Sequence, residues 1–161
     1  MKTFENFKNY IVAKSTELNA CNTELSKAKN STDFKELFQI IKYNINWSIS
    51  NKLINTEILL DYVDDVDLVA NGFYVKKEFT EFTESNTCLF STKVETLKAN
   101  ILNLSDTSSV GRMYGTSSVG RMSDTSSVGR MYGTSLYKKY IPFCKTKLYI
   151  KKDAFEIIEI E

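Results

Sequence analysis

A tandem repeat between Ser105 and Ser135 constrains the fold more than any other feature of the chain. Three nine-residue copies start at Thr107 and read TSSVGRMYG, TSSVGRMSD and TSSVGRMYG. Their two junction residues alternate between Ser-Asp and Tyr-Gly, so the full unit is eighteen residues and segment 105–117 is identical to segment 123–135. One unit offers only two Val and two Met for burial, so it can form a hydrophobic interior only by stacking on its neighbours. The repeat therefore predicts a solenoid.

The apolar positions of the repeat continue beyond the perfect copies. Segment 91–99 reads STKVETLKA and keeps both positions, which predicts two inward-facing rows along about three coils. These rows are Val94, Ile101, Val110, Val119, Val128 and Tyr137, and Leu97, Leu104, Met113, Met122, Met131 and Tyr140. An antiparallel meander fits the same periodicity, so strand direction stays open. The repeat lacks the Gly-Gly-x-Gly-x-Asp order of calcium-binding β-rolls, and its strict Val and Met placement argues against a disordered linker.

The first seventy residues show helical periodicity. Phe4, Phe7 and Ile11 lie on one helix face with Thr3 as its N-cap. A longer apolar stripe from Phe34 to Ile49 predicts a second major helix, and a third runs from about Asn55 through Val66. Its opposite side carries Asp61, Asp64 and Asp65, which we interpret as a solvated acidic face because the Asp-x-Asp-x-Asp-Gly order of a calcium loop is absent.

These patterns predict an α+β protein in which a helical region precedes a short parallel β-solenoid of about 18 residues per coil. The predicted divisions are a helical N-terminal region at 1–72, connecting β segments at 73–90, the solenoid at 91–141 and a C-terminal β cap at 142–161. Alternating Leu148 and Ile150, followed by Phe155 and Ile157, favour the cap.

Composition excludes several classes of function. A net charge of +1 gives no bulk attraction to nucleic acid or to a membrane. The sequence contains no histidine, which removes the commonest general base and metal ligand. Cys21, Cys88 and Cys144 are too far apart for a zinc site, and small buried thiols in a reducing cytoplasm are expected. We therefore expect a cytoplasmic protein that is not an enzyme and has no cofactor, metal site or membrane partner.

The candidate binding residues are the arginines and tyrosines of the repeat, Arg112, Arg121, Arg130, Tyr114 and Tyr132. In an eighteen-residue coil, Arg112 and Arg130 would lie on one side about 4.8 Å apart, with Arg121 on the other side. Tyr114 and Tyr132 would stack at one corner. Such a patch suits phosphates or an acidic partner surface, but copied arginines that extend into solvent and tyrosines that only pack between coils are the alternatives.

The opening segment MKTFENFKNYI, joined to a Ser-Ser-Val-Gly repeat, resembles a group of uncharacterised small repeat proteins of phages and mobile elements of gut bacteria. This resemblance implies no active site, and it suggests an inhibitor of host defence or an immunity-type protein. The leading hypothesis is a non-catalytic protein–protein interaction protein with an unidentified protein partner. The alternatives are an anion or nucleic-acid binding protein that uses the repeat arginines, which is less favoured, and a structural spacer or scaffold.

Overall fold

The structure, a computed structural model, describes residues 2–139, 147–152 and 154–159, with side chains as far as Ser135. The chain divides into two compact units, Met1–Asn71 and Gly72–Glu161. The first unit is helical and the second is a parallel β-solenoid, which confirms the predicted α+β class and decides strand direction against the antiparallel meander.

Six short helices form the first unit. They are α1 (Phe4–Glu17), α2 (Asn22–Asn30), α3 (Phe34–Tyr43), α4 (Ile45–Ser50), α5 (Thr56–Tyr62) and α6 (Asp65–Ala70). The predicted cap at Thr3 is present, since its hydroxyl accepts a hydrogen bond from the Asn6 backbone N–H at 3.3 Å. Asp33 and Asn55 cap α3 and α5 in the same way. A cluster of rings, including Phe7 packed on Phe38 at 5.4 Å between centroids, lies in the interior.

Two of the predicted helices were too long. The apolar stripe from Phe34 is interrupted at Asn44, whose side-chain amide donates to the Ile40 carbonyl and to Glu24 and so competes with continued helix. The third predicted helix ends at Tyr62 and a new one begins at Asp65. Val66, which the prediction placed in the third helix, lies in this new helix and is 79% exposed.

The described residues of the second unit form twelve strands. They are β1 (Phe73–Val75), β2 (Glu78–Phe82), β3 (Cys88–Phe90), β4 (Lys93–Leu97), β5 (Asn100–Ile101), β6 (Asn103–Ser105), β7 (Ser109–Met113), β8 (Ser118–Met122), β9 (Ser127–Met131), β10 (Leu136–Lys139), β11 (Lys147–Lys152) and β12 (Ala154–Glu159).

The first ten strands form the two parallel sheets of the solenoid. We call the one that runs β2-β4-β7-β9 the exposed sheet, and the one that runs β1-β3-β6-β8-β10, with β5 also on β8, the buried sheet. Segment 73–90, predicted to connect the two regions, already carries three of these paired strands. In the predicted cap, β11 and β12 pair in antiparallel register, and the rest of 142–161 lies outside the described residues.

The length of a coil changes along the solenoid. Strand partners Ser109 and Ser127 lie eighteen residues apart, as the repeat predicts. The separation is sixteen residues between Lys93 and Ser109, and fifteen between Glu78 and Lys93. The eighteen-residue coil therefore describes the perfect repeat, whereas the earlier coils are shorter.

The interior contains the side chains that the repeat predicted. In the exposed sheet Val94, Val110 and Val128 are register partners, and in the buried sheet Ile101 pairs with Val119. Every described member of both rows is buried except Met131, which is partly buried at the end of its row. Tyr137 is the register partner of Val119, although its side chain and all of Tyr140 lie outside the described residues.

The corners of the repeat are tight turns with a left-handed residue. The Ser108 N–H donates to the Ser105 carbonyl at 3.1 Å, and the same bond joins Ser117 to Tyr114. The second turn residue has positive φ, 56° at Asp106 and 65° at Gly115, as in a type II′ turn. Asp and Gly both tolerate this conformation, which explains why the junctions alternate between Ser-Asp and Tyr-Gly.

The outward faces of the two sheets differ in burial. In the buried sheet the outward side chains are as inaccessible as the inward ones, since Phe73, Cys88, Phe90 and Asn103 are all 0% exposed. In the exposed sheet the outward positions are mostly accessible. Among the described side chains of the two solenoid sheets, those of the exposed sheet therefore offer an accessible flat surface for a partner.

The cysteines only partly follow the expectation of buried thiols. Cys88 is buried, whereas Cys21 is exposed because it precedes the first turn of α2. The backbone N–H groups of Thr23 and Glu24 lower the pKa of the Cys21 thiol, although it makes no regular capping hydrogen bond. Cys144 lies outside the described residues.

The environment of Tyr74 in the first coil predicts that the fold loses stability at alkaline pH. Its ring packs against Phe82 at 5.0 Å and its hydroxyl donates to Glu84. Burial, followed by this hydrogen bond, raises the pKa of Tyr74 from 10.0 to about 12. The neutral phenol thus stabilises the fold fully below pH 10, and this contribution is lost as the pH rises towards about 12.

We expect the free energy of unfolding to fall by on the order of 1 kcal/mol across this window through Tyr74 alone. Denaturant titrations at several alkaline pH values would measure it. Tyr74→Phe should remove this part of the pH dependence, whereas the matched change at the exposed Tyr43 should keep it. An unchanged alkaline slope in Tyr74→Phe would contradict the assignment.

Candidate interaction surface

Arg112 and Arg130 occupy equivalent positions on the exposed sheet. Arg112 on β7 and Arg130 on β9 are register partners, so their backbones are about 4.8 Å apart, the spacing of neighbouring strands. Both residues are exposed. They thus lie on one side of the solenoid, as predicted.

The burial pattern of each copy directs these arginines outward. In each copy of Ser-Val-Gly-Arg-Met the Val and Met face inward, so the Gly and Arg between them both face out. Two successive outward residues break the alternation of an ideal strand, while the register with the neighbouring coils is kept on both sides of them. Gly111 fits beside the preceding coil because a Cβ there would lie 2.8 Å from the Glu95 carbonyl oxygen.

Tyr114 and Tyr132 follow the arginines at the adjacent corner. Their rings stack at 4.8 Å between centroids with an interplanar angle of 8°, which confirms the predicted stacking. A side-chain hydrogen bond with Tyr114 is the main reason why the pKa of Arg112 is raised. We call Arg112, Tyr114, Arg130 and Tyr132 the arginine–tyrosine patch.

Two lysines near this face are already paired with carboxylates. The Lys93 ammonium lies 3.0 Å from the Glu78 carboxylate, and the Lys98 ammonium lies 2.6 Å from Glu81. Neither arginine of the patch forms a salt bridge with any residue in the described part of the chain. The lysine pairs cross between neighbouring coils, at spacings of fifteen and seventeen residues that the perfect repeat did not reveal.

Arg121 does not share the position of the other two arginines. It lies on β8 in the buried sheet and is 1% exposed, the largest fully buried side chain of the described residues. Its place on the other side of the coil agrees with the prediction, whereas the expectation that it is accessible for binding is corrected. Its pentapeptide is the same, but its strand joins the sheet whose outward face is inaccessible.

The patch combines cationic hydrogen-bond donors with aromatic rings. A guanidinium offers a planar fork of donors that fits a carboxylate or a phosphate, and the tyrosine hydroxyls can donate or accept. This chemistry is suited to binding an anionic group on a partner.

No helix in the described part of the chain is long and apolar enough to cross a membrane. Comparisons with protein families, with curated proteins and with solved structures gave no match.

Proposed function

We propose that the protein is a non-catalytic protein–protein interaction protein and that the exposed sheet, centred on the arginine–tyrosine patch, contacts the partner. In the form that the resemblance in the sequence suggests, it would act as a mobile-element inhibitor of host defence or as an immunity-type protein in the cytoplasm.

The observation that carries this proposal is the pairing of two equivalent rungs, each with one exposed arginine and one half-buried tyrosine. Tyrosine and arginine are enriched among residues that dominate binding energy at interfaces. Ring stacking holds the two tyrosines of the patch in place before binding, which reduces the entropy lost on association.

Nucleic acid is the less favoured partner because carboxylates lie on the same sheet. Glu95 is exposed on β4, the strand paired with β7, and Glu78 and Glu81 lie on β2, where they are paired with Lys93 and Lys98. A polyanion laid along the face would meet these carboxylates, whereas a protein can place its acidic groups only opposite the arginines.

The test is affinity capture from a lysate of the organism that encodes the chain. Wild type should retain a specific protein that Arg112→Ala/Arg130→Ala loses. The matched control is Lys93→Ala/Lys98→Ala, which also removes two cations from this region, but ones that already have carboxylate partners. Retention by the control and loss by the arginine variant would support the patch. If all three chains retain the protein equally, the exposed sheet is not the contact surface. Salt-sensitive capture of nucleic acid alone would favour a nucleic-acid binding protein.

A further inference from the structure

We propose that the repeat acts as an adjustable binding ladder for an acidic protein segment, in which each eighteen-residue unit adds one arginine–tyrosine rung and thereby strengthens binding. The segment would present its carboxylates in a row along the solenoid axis. This inference rests on the proposed function and specifies both its partner chemistry and the role of the repeat.

The geometry allows rungs to be added without a new kind of contact. Between β7 and β9 every paired position joins identical residues, from Ser109 and Ser127 to Met113 and Met131. The corner turn also recurs one unit later, since the backbone N–H of Ser108 donates to the Ser105 carbonyl at 3.1 Å and that of Ser126 donates to the Ser123 carbonyl at 3.2 Å. A further copy of 105–122 would therefore stack on the same interior and extend the patch by about 4.8 Å, one strand spacing.

The spacing of the rungs indicates the arrangement of the partner's charges. Two guanidinium groups about 4.8 Å apart at their backbones repel one another unless anions lie between or opposite them. Acidic residues at positions i and i+4 of a helix have Cβ atoms about 5–6 Å apart, whereas same-face residues of an extended strand are about 6.6–6.8 Å apart. A row of carboxylates on one helix face therefore fits the ladder better than a single extended strand.

Carboxylates are also favoured by the surroundings of the patch. The arginine fork binds a carboxylate with two parallel hydrogen bonds, and both arginines of the patch are exposed. The neighbouring lysines are engaged by Glu78 and Glu81, so added anionic charge is attracted chiefly at the two rungs. This limited cationic row suits a short acidic segment more than a continuous phosphate backbone.

The test compares chains that differ in the number of rungs. A one-rung chain carries Arg130→Thr and Tyr132→Ser. The solenoid already has both replacement residues at equivalent positions: Thr96 is the register partner of Arg112, and Ser123 stands at the alternate junction. The natural chain has two rungs. A three-rung chain carries an extra copy of 105–122, and its matched control carries the same insertion with the arginine of the new rung changed to Thr and its tyrosine to Ser.

Three fluorescent probes of equal charge would be titrated by anisotropy. They are a helical peptide with Glu at successive i and i+4 positions, a scrambled peptide of the same composition, and a single-stranded oligodeoxynucleotide. We expect the Kd for the helical peptide to fall about three- to tenfold with each rung, and the silent-rung control to bind like the natural chain. The scrambled peptide should bind more weakly and show less dependence on rung number. Circular dichroism would verify that each chain folds.

Several results would overturn the ladder. The Kd could be the same for one, two and three rungs, the silent rung could strengthen binding as much as a complete one, or the oligonucleotide could bind more tightly than the helical peptide. If the insertion does not fold, the one-rung and natural chains still give the dependence on rung number. A flat dependence, together with loss of the captured protein by Arg112→Ala/Arg130→Ala, would refute the ladder and leave the proposed interaction surface in place.

Discussion

Replacement of Arg121 by alanine should lower the free energy of unfolding by about 3 kcal/mol, because it removes the largest fully buried side chain of the described residues. Arg121 is 1% exposed on the buried sheet. A charged side chain at such a site is retained only with compensating interactions, because its desolvation is costly. Alanine would leave those interactions unmade and a cavity where the long side chain had been.

The repeat supplies an internal control for this prediction. Arg112 and Arg130 stand in the same pentapeptide, Ser-Val-Gly-Arg-Met, but on the exposed sheet. Their replacement by alanine should leave stability unchanged within the error of a denaturant titration, since exposed substitutions rarely matter. Equal unfolding midpoints and slopes for all three single variants would show that the burial of Arg121 contributes nothing to the fold.

Much of the solenoid could be predicted from side-chain spacing alone. Val and Met recur at fixed intervals, and a period-nine pattern doubled to eighteen leaves few ways to bury them. The predicted rows accordingly coincide with the observed interior from Val94 to Val128. The periodicity could not predict the strand direction, because parallel coils and an antiparallel meander bury the same residues.

The different burial of the three arginines could not be predicted from local sequence. β7, β8 and β9 have identical pentapeptides, yet only β8 joins the sheet with an inaccessible outward face. Burial here depends on which sheet receives the strand, and this alternates along the chain. The Tyr114–Tyr132 stack, by contrast, followed directly from eighteen-residue spacing, because equivalent residues of successive coils lie one strand apart.

The lysine–carboxylate pairs were missed for a related reason. Lys93 meets Glu78 across a coil of fifteen residues, and the perfect repeat predicts eighteen. Shorter coils upstream were hidden because their sequences have diverged, so only the register of the strands reveals which charges are neighbours. The distinction between paired lysines and the arginines of the patch therefore required the structure.

The Gly111→Ala substitution should lower the free energy of unfolding by about 2–3 kcal/mol, because it crowds two adjacent coils. The added Cβ would lie 2.8 Å from the Glu95 carbonyl oxygen, and 3.5 and 3.6 Å from the Glu95 Cα and carbonyl carbon. All three are backbone atoms of β4, the strand paired with β7. Relief would require the two strands to separate, which weakens their hydrogen bonds and opens the Val94–Val110 contact beneath them.

Gly115→Ala is the matched control. It makes the same Gly→Ala change in the same repeat, but the expected loss of stability has a different physical cause. Gly115 has a φ of 65° and no atom within 4 Å of the position of an added Cβ. The substitution should therefore lower the free energy of unfolding by about 1 kcal/mol, because Ala must adopt the left-handed backbone conformation there. Denaturant titrations of the two variants separate steric crowding between coils from backbone strain at a corner. A larger loss at Gly115 than at Gly111 would mean that the corners, and not the close approach of neighbouring coils, limit which residues the repeat accepts.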